Sequence, residues 1–116
     1  MASPKQKPLL PVLKERKRYL SYEAYADRAL PQSTGRIIVD ELNSLLGVFD
    51  AASAGLLNIG FDASTNKGII RVSNTSAHKA RLALLLVHQL KGQPVMLRPV
   101  TASGVLRKAK QAIVRD

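Results

Sequence analysis

Between Ile38 and Val72 the apolar pattern of this chain changes period, and that change leaves few folds open. Ile38, Leu42, Leu45, Leu46 and Phe49 share one face at helical spacing, with Asp40, Asn43, Ser44 and Asp50 opposite. After Ala51-Ala52-Ser53 the period drops to that of a half-buried strand: Leu57, Ile59 and Phe61 alternate with Asn58 and Gly60. The polar stretch 62–68 then turns the chain into Ile69-Ile70-Arg71-Val72. A helix followed at once by a hairpin is the prediction.

The flanks extend the pattern symmetrically. Residues 18–26 carry Tyr19, Tyr22 and Tyr25 without Gly or Pro and read as a first strand. Residues 31–35 read as a turn, with Ser33 or Thr34 available as an N-cap. Downstream, Ser73 or Asn74 is placed to cap a second helix running from Ser76 to Leu90, ended by Gly92 and Pro94. Residues 95–101 form the fourth predicted strand, and Pro99, with no N–H to donate, assigns it to a sheet edge. Ser103-Gly104 opens a terminal helix with Leu106, Ala109 and Ile113 on one side and Arg107, Lys108 and Lys110 away from it. The expected fold is α+β: a split β-α-β-β-α-β antiparallel sheet, ferredoxin-like or RNA-recognition-motif-like, with helices on one face and a C-terminal basic helix. Residues 1–11, with Pro4, Pro8 and Pro11, read as a flexible arm, and residues 12–116 as one domain.

Charge is layered along this framework. Residues 1–18 hold six Lys/Arg against Glu15, residues 19–66 hold two Arg against six Asp/Glu, and residues 67–116 hold ten Lys/Arg against Asp116. Basic ends around an acidic middle suit a polyanion, because clustered Lys and Arg release the counterions condensed on phosphate backbones. The absence of cysteine rules out disulfides, thiolate metal sites and thiol nucleophiles. The longest apolar run, 82–87, is too short to span a bilayer, and prolines break any signal-peptide core in the arm. A soluble cytoplasmic protein with no membrane contact is expected. His78 and His88 stand too far apart on the predicted helix to share a metal, and no phosphate loop, nucleophile elbow or dinucleotide fingerprint occurs. No catalytic residue is assigned.

The split βαβ order prompts a test against the RNA-recognition motif. Its stacking motif on the third strand needs aromatics where this chain has Ile69, Arg71 and Asn74, so base stacking there is disfavoured. Only the strand-one tyrosines offer a platform, and packing explains Tyr22 and Tyr25 equally well. Phosphate and shape recognition remain. Arg16, Lys17 and Arg18 lead into Tyr19, and Ser103 and Gly104 offer backbone N–H groups ahead of Arg107, Lys108 and Lys110. The competing reading of that last segment is a solvated basic helix. On the second helix Ala80, Ala83, Leu84, Val87 and Leu90 form a core stripe, while Leu82 and Leu85, with Leu86 at the margin, point away. Those leucines suggest a protein contact, unless the tail helix covers them.

Several segments together resemble the ribonuclease P protein component 2 family, the archaeal counterpart of a small subunit shared by eukaryotic ribonuclease P and ribonuclease MRP. They are Lys14-Glu15-Arg16-Lys17-Arg18-Tyr19-Leu20, Gly68-Ile69-Ile70-Arg71-Val72, Gly92-Gln93-Pro94-Val95 and 103–109, and the likeness spans residues 9–112. The resemblance implies a non-catalytic subunit of the endoribonuclease that removes the 5′ leader of precursor tRNA. The chemistry then belongs to the RNA with its Mg2+, and this chain binds no cofactor. Implied partners are the ribonuclease P RNA, protein component 3 and the other protein components, with self-association giving a two-plus-two heterotetramer. Lys14, Arg16, Lys17, Arg18, Tyr19, Arg71, Arg98, Ser103, Gly104, Arg107, Lys108 and Lys110 become RNA-contact candidates, and Leu82, Leu85 and Leu86 protein-contact candidates. The alternatives are a ribosomal-type structured-RNA-binding protein and a βαβ dimerisation module.

Overall fold

A computed structural model describes the backbone of residues 16–114 and the side chains of residues 16–110. The arm at residues 1–11, Lys14 and the side chain of Ile113 lie outside the described residues. The elements are β1 (Lys17–Ala26), α1 (Thr34–Ala54), β2 (Leu57–Asp62), β3 (Lys67–Ser73), α2 (Ala77–Leu86), β4 (Gln89–Leu90), β5 (Gln93–Ser103) and α3 (Leu106–Val114). The sheet order is β2-β3-β1-β5-β4, with every pairing antiparallel. This is the split βαβ arrangement with one short strand added. β1 holds the centre, between β3 and β5.

Strand parity builds two unlike faces. Leu20, Tyr22 and Ala24 of β1 meet Ile70 and Val72 of β3, Phe61 of β2 and Leu97 of β5 in one buried cluster. Helices α1 and α2 close that cluster with Ile38, Val39, Leu42, Ala80, Ala83 and Leu84. The opposite parity carries Tyr19, Ser21, Glu23 and Tyr25, next to Ile69 and Arg71 on β3. Ser21 and Ile69 are nonetheless buried, and so is Ala109 of α3. Helix α3 packs on β1, β5 and β3, so it covers this second face. It therefore does not cover Leu82, Leu85 and Leu86, which stay exposed on α2.

The tyrosines of strand one are sorted by the same parity. Tyr22 is fully buried, its ring stacked with Phe61 at a centroid distance of 6.4 Å and an interplanar angle of 22°. It sits opposite Gly68 on β3, where a Cβ would stand 2.4 Å from its hydroxyl oxygen. That hydroxyl has no hydrogen-bond partner among the described residues, and burial pushes the phenol's pKa up. Two consequences follow for Tyr22→Phe. At neutral pH the variant should gain about 1 kcal/mol, because an unpaired buried hydroxyl is removed. As pH rises past about 10, unfolded tyrosine ionises while buried Tyr22 keeps its proton, so stability falls. Urea melts across alkaline pH should show a shallower fall in the variant; identical slopes would remove Tyr22 as the cause.

Three local expectations are corrected. The α1 stripe breaks at Gly47, whose φ of 84° and ψ of 171° are not helical and divide the element in two. Beyond the break the register rotates, and Val48 and Phe49 are 83% and 88% exposed rather than continuing the stripe from Leu42. Leu45 is exposed as well. The second helix stops at Leu86, not Leu90. Lys91 and Gly92, at φ 48° and 83°, form a two-residue hairpin loop between β4 and β5, and a turn of that hand forces paired strands on both sides. Val87 and Leu90 remain buried, reached through extended chain instead of helix. The N-cap assignments also change, since neither Ser33 nor Ser73 makes a side-chain capping bond. Ser73 Oγ instead donates to the Ser53 carbonyl at 3.1 Å, tying the end of β3 to α1. Pro99 behaves as expected: β4 pairs only with Gln93 and Pro94, so Pro99 lies on the open edge of β5, at a register shift opposite Tyr22.

Candidate nucleic-acid interface

Antiparallel register gathers cations that are far apart in the chain. At the start of β1, Lys17 lies opposite Ser73 and Arg18 opposite Val72. Tyr19 lies between Arg71 on β3 and Ser103 on β5, a row across three strands. The Arg16 carbonyl accepts the Asn74 N–H at 2.7 Å, which fixes the backbone of the basic run against the end of β3. Arg18 reaches the other way: a Cβ on residue 104 would stand 2.4 Å from its Nη1, so the guanidinium occupies the space that Gly104 leaves.

Helix α3 begins at this same end. Ser103 Oγ accepts the Val105 N–H at 3.0 Å, and the Val105 carbonyl accepts from Lys108 at 3.1 Å and Ala109 at 3.3 Å. The hydroxyl thus holds the Val105 N–H, and the helix starts at Leu106. Arg107 and Lys108 are exposed in the first turn of α3, and Arg16 is exposed just before β1. Arg71 is half-buried, with its Nε buried and without a hydrogen-bond partner among the described residues. Glu23 is the first acid along β1, so the strand rows of this end contain no carboxylate.

Not every predicted contact joins the group. Arg98 lies about 16 Å along β5 from Ser103 at strand rise, paired with Glu23. Lys110 lines a groove with Gln32, Phe61 and Lys67 at the far end of the sheet. Leu82, Leu85 and Leu86 sit on α2, across the sheet from α3. His78 remains on α2, but His88 falls in the segment after it, and its carbonyl accepts the Val95 N–H at 3.0 Å. Tyr25, which the sequence leaves open between packing and a platform, is a surface residue. Its parity, shared with Tyr19 and opposite to Tyr22, is the signal that separates it.

Among the described residues no cluster of His, Cys, Asp or Glu has the makings of a metal site. Nor is any described helix long and apolar enough to cross a membrane. The outer sheet face, where a recognition-motif protein stacks bases, lies largely under α3. Fold and site define a class: a split βαβ domain with its outer face capped by a helix and a set of cations at one sheet end.

The comparisons with known proteins narrow that class. Residues 18–114 match the model of the Rpp14/Pop5 family, and the chain belongs to this family. It is similar to ribonuclease P protein component 2 of Methanosarcina acetivorans, 33% identical over 113 residues covering 95% of this chain and 83% of the relative. The ribonuclease P/MRP protein subunit POP5 of Schizosaccharomyces pombe is 30% identical over 114 residues, covering 84% and 82%. Among solved structures, a chain in the cryo-EM structure of yeast ribonuclease MRP has the same fold, with a TM-score of 0.63 at 13% identity over 81% of this chain and 78% of that one.

Proposed function

We propose that this chain is a protein subunit of ribonuclease P, the ribonucleoprotein that removes the 5′ leader of precursor tRNA. Membership of the Rpp14/Pop5 family supports the reading. The observation that carries it in the molecule is the convergence of Arg16, Arg18, Arg71, Arg107 and Lys108 on one sheet end while α3 occupies the usual stacking face. Such a surface grips phosphates and the shape of folded RNA rather than a run of stacked bases. The RNA, with Mg2+, carries out hydrolysis; this chain positions and stabilises it. Its partners are ribonuclease P protein component 3 and the other protein components in a two-plus-two assembly, in the cytoplasm. The exposed leucines of α2 are the protein-facing side.

Reconstituted cleavage of precursor tRNA tests this, using the cognate RNA and partner proteins with and without this chain. The expected result is faster cleavage or a lower Mg2+ requirement when it is present. No change in either overturns the proposal and favours a ribosomal-type RNA-binding role. Leu82→Glu or Leu85→Glu should weaken protein association in sedimentation while leaving the far-UV spectrum and melting temperature unchanged, because both side chains are already in water. Undiminished association removes this face from the assembly.

A further inference from the structure

Helix α3 leaves one corner of the outer sheet face open. There Tyr25 of β1 lies opposite Met96 of β5, and they are 45% and 59% exposed. The neighbouring row is polar: Glu23 lies between Lys67 on β3 and Arg98 on β5. Glu23 Oε1 accepts the Tyr25 hydroxyl at 3.0 Å and also pairs with Arg98, while Lys67 Nζ approaches Oε2 at 3.6 Å. The far end of the Tyr25 ring is therefore anchored, and its face is open. Asp62 on β2 lies opposite Lys67 and continues the row, and Arg98 is its exposed cation.

A shallow depression continues from this pair over Asp27 and Pro94 into a second one lined by Arg28, Lys91, Gly92 and Gln93. Arg98 on one side and Arg28 and Lys91 on the other thus flank an exposed, pinned aromatic ring, with Asp27 lining both depressions. The apolar patch is two side chains, far below the roughly 800 Å² per partner of a standard protein interface. It is the size of one base, and stacking on a ring already held in place costs little ordering entropy.

We propose that this corner binds a single unpaired RNA nucleobase stacked on Tyr25, with Arg98 on one flanking phosphate and Arg28 or Lys91 on the other. The site is separate from the cation cluster at the opposite sheet end. It rests on the reading of this chain as an RNA-binding protein but on no particular RNA.

The test uses the full chain in low salt with two probes, a short single-stranded oligouridylate and a blunt RNA duplex. Tyr25→Leu should weaken oligouridylate binding about tenfold, the effect of losing one stacked base. Tyr25→Phe, which keeps the ring, should stay within about twofold. Duplex binding should be unchanged by either, and melting temperatures should confirm that both variants fold. The chain has no tryptophan, so quenching of tyrosine emission by oligouridylate should also shrink in Tyr25→Leu. Wild-type affinity for oligouridylate in Tyr25→Leu, an equal loss on the duplex, or no oligouridylate binding by the wild type overturns the proposal. A Tyr25 effect together with precursor-tRNA cleavage that is the same with and without this chain keeps the nucleobase site and sinks the ribonuclease P assignment instead.

Discussion

Replacing Gly68 by alanine should cost about 3 kcal/mol of stability, the upper end for overpacking a core. The new Cβ would meet the Tyr22 ring at 2.4 Å from the hydroxyl oxygen and 2.6 Å from Cζ, with the Gly60 carbonyl at 3.0 Å behind. Tyr22 cannot swing aside, since it is fully buried and stacked on Phe61 between the central strands and the helices. Gly60 is backbone of β2, so yielding there means opening the β2–β3 pairing. The expected readout is a lower urea midpoint at unchanged m-value. Tyr22→Phe should not rescue the variant, because the ring carbon still collides, whereas Tyr22→Leu should restore part of the loss. A Gly68→Ala protein as stable as the wild type would falsify the placement of Tyr22 over residue 68.

The second large effect is on RNA. Arg16→Ala, Arg107→Ala and Lys108→Ala combined should weaken assembly with structured RNA about a hundredfold, from three phosphate contacts of about 1 kcal/mol each. The slope of log affinity against log salt should become shallower by about two to three units. All three side chains are exposed, so melting should hardly move. Arg36→Ala, Lys79→Ala and Arg81→Ala remove the same charge from α1 and α2 and make the control. Equal losses in both triples would mean that net charge alone binds RNA, with no defined end of the sheet.

Particular residues show how far the sequence could be read. Ala80, Ala83, Leu84, Val87 and Leu90 were readable as buried and Leu82, Leu85 and Leu86 as outward, and both sets are so. The backbone carrying them was misjudged, because helical spacing and a helix ending in a short strand bury the same positions. Lys91-Gly92 decides between them through left-handed φ values that a periodicity count does not weigh. Gly47 misled in the same way: a glycine in a helical stripe is tolerated more often than it breaks the helix, and here it turns Phe49 into solvent. In the candidate site, the charged residues were legible as clusters. Their sorting was not: Arg98 and Lys110 belong to other regions than Arg18 and Arg107.

By itself the sequence determined the order of the longer strands and helices, short β4 apart, the edge position of Pro99 and the concentration of positive charge near both termini. These are local matters, set by side-chain period, by a missing N–H and by composition, and they require no knowledge of neighbours. Only the tertiary structure decided that Arg18, Arg71, Ser103 and Arg107 share one end of the sheet, because strand register joins residues that no local signal connects. Only it decided, too, that α3 turns back over the outer face and leaves Tyr25 uncovered. A short amphipathic helix fits any apolar surface, and the buried Ile69 and Ser21 beneath it reveal which surface this one took.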